Sequence, residues 1–371
     1  GELGNVIDAI AGRWIVSSNE SPLERWSNTD LVQIAIAMAH GRIDNIPLLN
    51  AVYTEAHKRL MLDMKRKSYT QKSSFRAWEI CVMLWVQARL YLRQAQGEIF
   101  PAFLNTAPQW LNEKAEGSAS LEEIGIRAQE QANLSWSLVV LENYSSVQGH
   151  HLLRRIFREA SEACSQNEYI QVEHAHQLWQ ALYLMESECP SIVEDVPKWF
   201  RNFLKERWTV EKSRRKTSSA RHRALSQTLK LMGVAHYNEH DEDIDVAIVL
   251  KENASWTHQT QTDNTKQSRK KIAVEFDGPN HFTRESMDEL GNSIVPRTLG
   301  HTVLKYRLLK RQGWAVVRVP YFEFDKIPFW ASMERQRYIQ RLLKTHADIR
   351  FSEVDVSEYK PVSTNRESRF D

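Results

Sequence analysis

The sequence has 371 residues, of which 42% are hydrophobic and 26% charged, as in a folded protein with room for two domains. No run approaches the roughly 20 apolar residues of a membrane-spanning helix, which excludes a helical membrane protein. The formal net charge of +2 does not by itself indicate a polyanionic partner. Cys81, Cys164 and Cys189 are far apart and fit neither a disulfide framework nor a CxxC metal motif, so we expect a reducing compartment.

From residue 28 to residue 208, apolar residues recur with the period of a helix, in four successive pairs of segments. The pairs are 28–40 with 46–64, 74–92 with 99–111, 127–144 with 150–164, and 169–186 with 193–208. Proline near the starts and glycine near the ends of these segments are typical helix boundaries. The pattern predicts four helical hairpins within residues 1–210.

Tryptophan gives the hairpins a common register. Trp85, Trp136 and Trp179 stand 51 and 43 residues apart in the first segments of the last three pairs. Ile36 holds the matching place in the first pair, 49 residues before Trp85. Periods of this size are typical of helical repeats that bury a shared core, so we predict an α-helical hairpin repeat array with these tryptophans buried. A non-repetitive helical bundle is the alternative.

A basic segment follows the predicted array. Six of the thirteen residues of 211–223 are Lys or Arg: Lys212, Arg214, Arg215, Lys216, Arg221 and Arg223. Two interpretations stay open, a solvated linker and an electrostatic contact with phosphate.

After Gly233 the apolar period becomes two, which is typical of strands. The predicted order is helix 219–233, strands 243–250 and 271–277, helix 299–313, strand 314–324 and helix 332–347. Alternation places Ala273, Glu275 and Asp277 on one face of the second strand, opposite Ile272, Val274 and Phe276. We expect Asp245 of the first strand to share the face of the acids. The C-terminal part is therefore a small α/β domain.

Three motifs carry a resemblance: DIDVAI, IAVEFDGPNHF and LGHTVLKYRLLKRQGWAVVRVPYFEF, in this order between residues 243 and 324. They resemble the RAP domain, an RNA-binding domain abundant in apicomplexans and present in organelle proteins. The resemblance covers 219–348 and leaves 349–371 as a C-terminal tail. It implies a fold similar to very-short-patch-repair endonucleases, of the restriction-endonuclease-like group. It also implies that the preceding helices are octotricopeptide-like repeats.

The resemblance carries a candidate catalytic set onto this sequence. Asp245 matches the acid of the first strand, Glu275 and Asp277 match the acids of the second, His281 follows in the loop, and Lys305 lies on the next helix. Two carboxylates on one strand face could hold Mg²⁺ or Mn²⁺ and activate water.

Three features depart from the nuclease pattern. Asp277 stands where the nucleases carry a lysine, and the polar inserts 251–270 and 284–297 lengthen the loops. Asp277-Gly278-Pro279 could instead form a structural turn, and Glu275 could pair with Lys305 or Arg307. We therefore interpret the set as an inherited nuclease centre, now used for structure or RNA contact, with no cofactor unless the nuclease interpretation holds.

The resemblance implies an RNA-binding protein of an organelle, a mitochondrion or alternatively a plastid. Its role would be rRNA or mRNA processing or stability, or a structural part of an organellar ribosome. Its partners would be RNA, above all rRNA, and ribosomal or other ribonucleoprotein proteins, without a membrane. The alternative is a metal-dependent endoribonuclease. The candidate RNA-binding residues are the six cations of 211–223 with Lys305, Arg307, Lys310 and Arg311.

Overall fold

The computed structural model describes residues 22–66, 75–95, 97–166, 170–212, 220–240, 244–249, 270–284, 286–287 and 293–347. These residues form two compact units. The helical unit contains the described residues up to Glu211 together with those of His281–Lys305. The sheet unit contains those of Lys212–Asn280 and those from Tyr306 onward. No helix within these ranges is long and apolar enough to cross a membrane.

Eight α-helices follow one another through the described part of the helical unit, and they match the eight predicted segments. They are α1 (Asn28–Gly41), α2 (Ile46–Arg66), α3 (Ala77–Arg89), α4 (Ile99–Lys114), α5 (Ala128–Val140), α6 (Val147–Ser165), α7 (Val172–Glu188) and α8 (Lys198–Lys212). Helices α1, α3, α5 and α7 pack side by side in one layer, and α2, α4 and α6 pack side by side in a second. This arrangement is the one expected of successive hairpins that share a core.

The first helices of three hairpins begin in the same way. Asp30, Glu79 and Glu130 each occupy the third helical position and accept a hydrogen bond from the backbone N–H three residues earlier, at 2.9, 2.9 and 3.1 Å. A carboxylate here satisfies a backbone donor that the helix leaves without a partner. These acids are 49 and 51 residues apart, the same spacings that separate Ile36, Trp85 and Trp136.

The same three helices also end alike. Arg42, Tyr91 and Glu142 follow α1, α3 and α5 with φ values of 56°, 47° and 56°. Residues other than glycine adopt this left-handed conformation at a cost, so its recurrence at these spacings marks a repeated corner. The fourth hairpin departs from the repeat because α7 continues through the matching position, Met185, to Glu188.

Two of the three tryptophans are buried as predicted. Trp136 and Trp179 are each 6% exposed. The prediction is wrong for Trp85, whose ring is half-buried. It packs against the imidazole of His40 at 5.5 Å, and the guanidinium of Arg89 lies 5.4 Å from its centroid. The position is repeated, but its burial depends on the neighbouring hairpin.

The sheet unit is built on four strands in the order β1-β2-β3-β6. They are β1 (Tyr237–His240), β2 (Ile244–Val249), β3 (Lys271–Asp277) and β6 (Trp314–Pro320), and β3 pairs antiparallel with β2 but parallel with β6. The helices are α9 (Ala220–Leu231), the part of α10 (Gly300–Arg311) from Tyr306 onward, the single turn α11 (Tyr321–Phe324) and α12 (Ser332–Ala347). The predicted tail 349–371 and residues 251–269 of the polar insert 251–270 lie outside the described residues.

The two faces of the sheet have separate cores. On one face Val246, Ile272, Val274 and Phe276 pack with apolar residues of α9 and α12. On the other face Ala247, Ala273 and Trp314 pack with Leu309 of α10. The alternation predicted for 271–277 is therefore confirmed.

Three details differ from the sequence prediction. The strand predicted over 314–324 ends at Pro320, and the chain turns into α11. A further strand, β1, precedes β2. Ile244 packs with Ala247 and not with Val246, so the expected alternation does not extend to the start of β2.

The segment His281–Lys305 belongs to the helical unit. It forms a hairpin with a bridge between Phe282 and Thr298 and with the short strands β4 (Ser286–Met287) and β5 (Ser293–Ile294). The guanidinium of Arg297 donates to both carboxylate oxygens of Asp44, at 2.5 Å each. The backbone N–H of Arg284 donates to the carbonyl of Arg42, one of the repeated corners, at 2.8 Å.

Candidate nucleic-acid interface

Asp245 contacts the side of the sheet that faces α9. Its carboxylate accepts a hydrogen bond from the backbone N–H of Phe276 at 2.8 Å. The same oxygen lies 3.0 Å from Nε2 of His222, a residue of α9. The paired register of β2 and β3 starts one residue later, at Val246 and Val274. The Asp245 carboxylate thus holds the strand ends together where the backbone ladder stops.

Asp277 contacts the opposite side of the sheet. Its Oδ1 accepts a hydrogen bond from the hydroxyl of Tyr306 on α10, and its Oδ2 accepts from Nε of Arg318 on β6 at 2.8 Å. The guanidinium of Arg318 also lies 4.7 Å from the centroid of the Tyr306 ring. Asp277 is 1% exposed, so this buried carboxylate is balanced by a cation and a hydroxyl.

The pKa values in this network fit a neutral Tyr306 and a charged Arg318. Burial, and after it the charge of Asp277, raises the pKa of Tyr306 well above its usual range. Burial acts to lower the pKa of Arg318, but its interactions with Tyr306 and Asp277 outweigh burial and leave it raised. The hydroxyl therefore stays a donor and the guanidinium stays a cation throughout the physiological pH range.

Glu275 lies on β3, two residues before Asp277. It is buried, and its Oε1 accepts from the backbone N–H of Asp245 at 3.4 Å. In the parallel register of β3 and β6 the residue opposite Glu275 is Arg318. The structure brings Asp245 and Glu275 into contact through a backbone group.

His281 and Lys305 lie in the helical unit. Nδ1 of His281 is 3.0 Å from the hydroxyl of Thr302 in the first turn of α10, and its ring is 5.8 Å from that of His301. Burial, followed by the charges of His281, Arg89, Arg42 and Lys305, lowers the pKa of His301 to about 4. His301 is thus neutral at physiological pH.

The carboxylates do not fit a metal site as they are arranged. Both oxygens of Asp277 and one of Asp245 accept hydrogen bonds or ion pairs from the protein. Across the described residues, no three His, Cys, Asp or Glu side chains form a group that could hold a metal ion. These contacts tie Asp245 to β3 and α9, and Asp277 to α10 and β6.

The predicted basic residues divide into three sets. Arg214, Arg215, Lys216 and the side chain of Lys212 lie outside the described residues. On α9, Arg223 is exposed, whereas Arg221 donates to Asp325 at 2.9 and 2.7 Å. On α10, Lys310 is exposed, and Lys305, Arg307 and Arg311 are half-buried. What these cations contribute to RNA binding stays a prediction.

Sequence reasoning missed the partners of the acids. Arg318 shares a strand face with Trp314, and this alternation could have indicated a cation on the same side as Glu275 and Asp277. No local pattern points to Tyr306 or His222, because each comes from a helix that is distant in sequence. A second omission is the pair of exposed aromatic residues that precedes α12, Phe329 and Trp330.

The comparison with protein families agrees with the motifs. Residues 274–342, from the middle of β3 to the last turns of α12, match the family model described as RAP domain. The match contains Glu275, Asp277 and Arg318 and spans parts of both compact units. The chain therefore carries a RAP domain at residues 274–342.

Proposed function

We propose that the protein binds RNA, with the sheet unit and the basic segment before it as the main contact surface. The observation that carries the proposal is the RAP-domain match over 274–342, since a RAP domain suggests RNA binding. The exposed cations Arg223 and Lys310 support it, because phosphate contacts from Lys and Arg supply most of the affinity for nucleic acids.

The contacts of the acidic residues favour binding without cleavage. A nuclease centre needs carboxylate oxygens that are available to a metal ion and to water. Here Asp277 is held by Tyr306 and Arg318, and Asp245 by the backbone of Phe276 and by His222. We propose that this sheet derives from the restriction-endonuclease-like fold and keeps its acids for structure. No cofactor is needed for such a role.

The basic segment gives the first test. We expect that replacing Arg214, Arg215 and Lys216 by Ala weakens RNA binding and lowers the slope of log K against log salt by about 2, since each phosphate contact to a single strand contributes about 0.7. The measurement is an affinity titration of the full chain at several salt concentrations. The control removes three exposed cations of the helical unit, Arg158, Lys198 and Lys205. Equal slopes for the triple variant and the wild type would reject the segment as an RNA contact.

We further propose that the protein acts in an organelle, a mitochondrion or a plastid, as a component of a ribonucleoprotein such as the organellar ribosome. A two-layer helical array of four hairpins supports this role, because it offers a large surface for protein partners beside the RNA-binding domain.

Sedimentation of the native protein tests the assembly. We expect it to sediment with organellar ribosomal subunits in high salt, since a built-in subunit is held by protein contacts that salt does not screen. Release at moderate salt would instead indicate a transient factor in RNA processing or stability. A position at the top of the gradient at every salt concentration would contradict the ribosomal assignment.

A further inference from the structure

Two large aromatic side chains of the sheet unit are turned to solvent. Phe329 is 83% exposed and Trp330 is 70% exposed, and Met333, three residues further along the chain, is 65% exposed. They lie between α11 and α12, in the stretch that follows the last strand of the sheet. Two adjacent aromatic side chains with this exposure are a candidate binding surface, since large apolar groups turned to solvent mark such sites when they lie together.

The turn that carries the two rings is fixed at both ends. Ile327 is buried in the core shared with α9 and α12, and its carbonyl accepts from the guanidinium of Arg335 at 3.0 Å. The backbone N–H of Ala331 donates to the carbonyl of Pro328, and that of Ser332 donates to the carbonyl of Trp330, both at 3.0 Å. The rings are thus presented by an ordered turn, which reduces the entropy that a ligand must overcome on binding.

Cations flank the aromatic pair. Along α12, Arg337, Arg341 and Lys344 follow Met333 at intervals of four, four and three residues, which places them on one side of the helix. Arg337 and Lys344 are exposed and Arg341 is half-buried, and the stripe is about 10 Å long at 1.5 Å per residue. Before the turn, Lys326 is exposed as well. Glu334, which precedes the stripe, pairs with Arg337 at 3.3 Å.

We propose that Phe329 and Trp330 stack on unpaired bases of single-stranded RNA, while the phosphates of the strand lie along Arg337, Arg341 and Lys344. The proposal rests on the RNA-binding function proposed above and adds the form of RNA that is recognised. Stacking on aromatic rings requires base faces that are open, and a duplex covers those faces. The neighbouring cations favour a polyanionic ligand over an apolar protein surface.

The test compares two RNA ligands with the full chain, a mixed-sequence single strand and a blunt duplex of the same length. We expect Phe329→Ala/Trp330→Ala to weaken binding of the single strand about tenfold or more and to leave duplex binding unchanged. Phe329→Tyr/Trp330→Phe should keep the wild-type affinity because its rings still stack. The matched control is Trp199→Ala, whose ring is 47% exposed on α8 of the helical unit.

The possible outcomes separate this inference from the function on which it rests. If the wild type binds neither RNA, RNA binding itself is refuted. If the wild type binds the single strand and the alanine variant binds it equally well, the stacking surface is wrong and the rings are a contact for a protein. Equal losses on both RNAs, or the same loss for Trp199→Ala, would likewise overturn it. Since both rings are exposed, the thermal unfolding temperature of the variants should match that of the wild type. If the alanine variant unfolds at a lower temperature, the proposal is tested with Phe329→Tyr/Trp330→Phe, and a loss of single-strand binding in that variant would contradict stacking.

Discussion

Replacing Asp277 by Ala is expected to destabilise the sheet unit by about 3–4 kcal/mol. The change leaves the guanidinium of Arg318 and the hydroxyl of Tyr306 without their acceptor, and removal of one partner of a buried ion pair costs about 3–5 kcal/mol. The lower part of this range applies because the Arg318 side chain is 34% exposed and recovers some hydration. Urea unfolding measures the loss of stability, and hydrogen exchange at the amides of β3 and β6 shows whether the loss arises in these strands.

An exposed ion pair of the same unit provides the control. Arg221 and Asp325 form a pair whose side chains are about two-fifths exposed, so Asp325→Ala should cost less than about 1 kcal/mol. The sign of the Asp277 effect distinguishes the two interpretations of the acidic cluster. A carboxylate kept for catalysis is commonly held at the expense of stability, and its removal then stabilises the protein. A more stable Asp277→Ala variant would therefore favour the nuclease interpretation.

The helical unit could be predicted well from the sequence because its determinants are local. The helical period of the apolar residues locates all eight helices, and the spacing of Ile36, Trp85 and Trp136 agrees with the repeated capping acids and corners. The prediction that Trp85 is buried is wrong, because the exposure of its ring depends on what the adjoining hairpin places over it. The residue that covers the ring, here His40, is 45 residues earlier in the chain. The helical period of the apolar residues does not indicate such a distant partner.

The candidate site was harder to predict because its partners are far apart in the chain. Alternation along 271–277 correctly separates Phe276 from Asp277, but it cannot show that Arg318 is the cation beside Asp277. We also expected Asp245 of the preceding strand to share a face with Asp277, whereas their carboxylates contact opposite sides of the sheet, through α9 and α10. The general fold therefore followed from residue patterns, and the pairing of charges required the structure.

Replacing Gly300 by Ala is expected to destabilise the helical unit by about 3 kcal/mol or more, the upper part of the range for overpacking. A Cβ on Gly300 would lie 1.9 Å from the carbonyl oxygen of Ala88 and 3.0 Å from a methyl of Val140. The oxygen belongs to the backbone of α3 and cannot rotate away as a side chain could. Either α3 or the segment 281–305 must move, and the second movement also strains the ion pair between Arg297 and Asp44.

Thermal unfolding of the full chain and hydrogen exchange in α3 measure this loss. Gly278→Ala is the matched control, because an added Cβ there meets no atom within 4 Å and its φ is not in the left-handed region. It should leave stability unchanged or raise it slightly, since alanine restricts the unfolded chain more than glycine does.

A Gly300→Ala/Asp44→Ala double variant should lose less stability than the sum of the two single losses, because either change alone loosens the same segment. Strict additivity would show that independent contacts hold the hairpin of 281–305 to the connection between α1 and α2 and to α3. Gly300→Ala at wild-type stability would contradict the close packing itself.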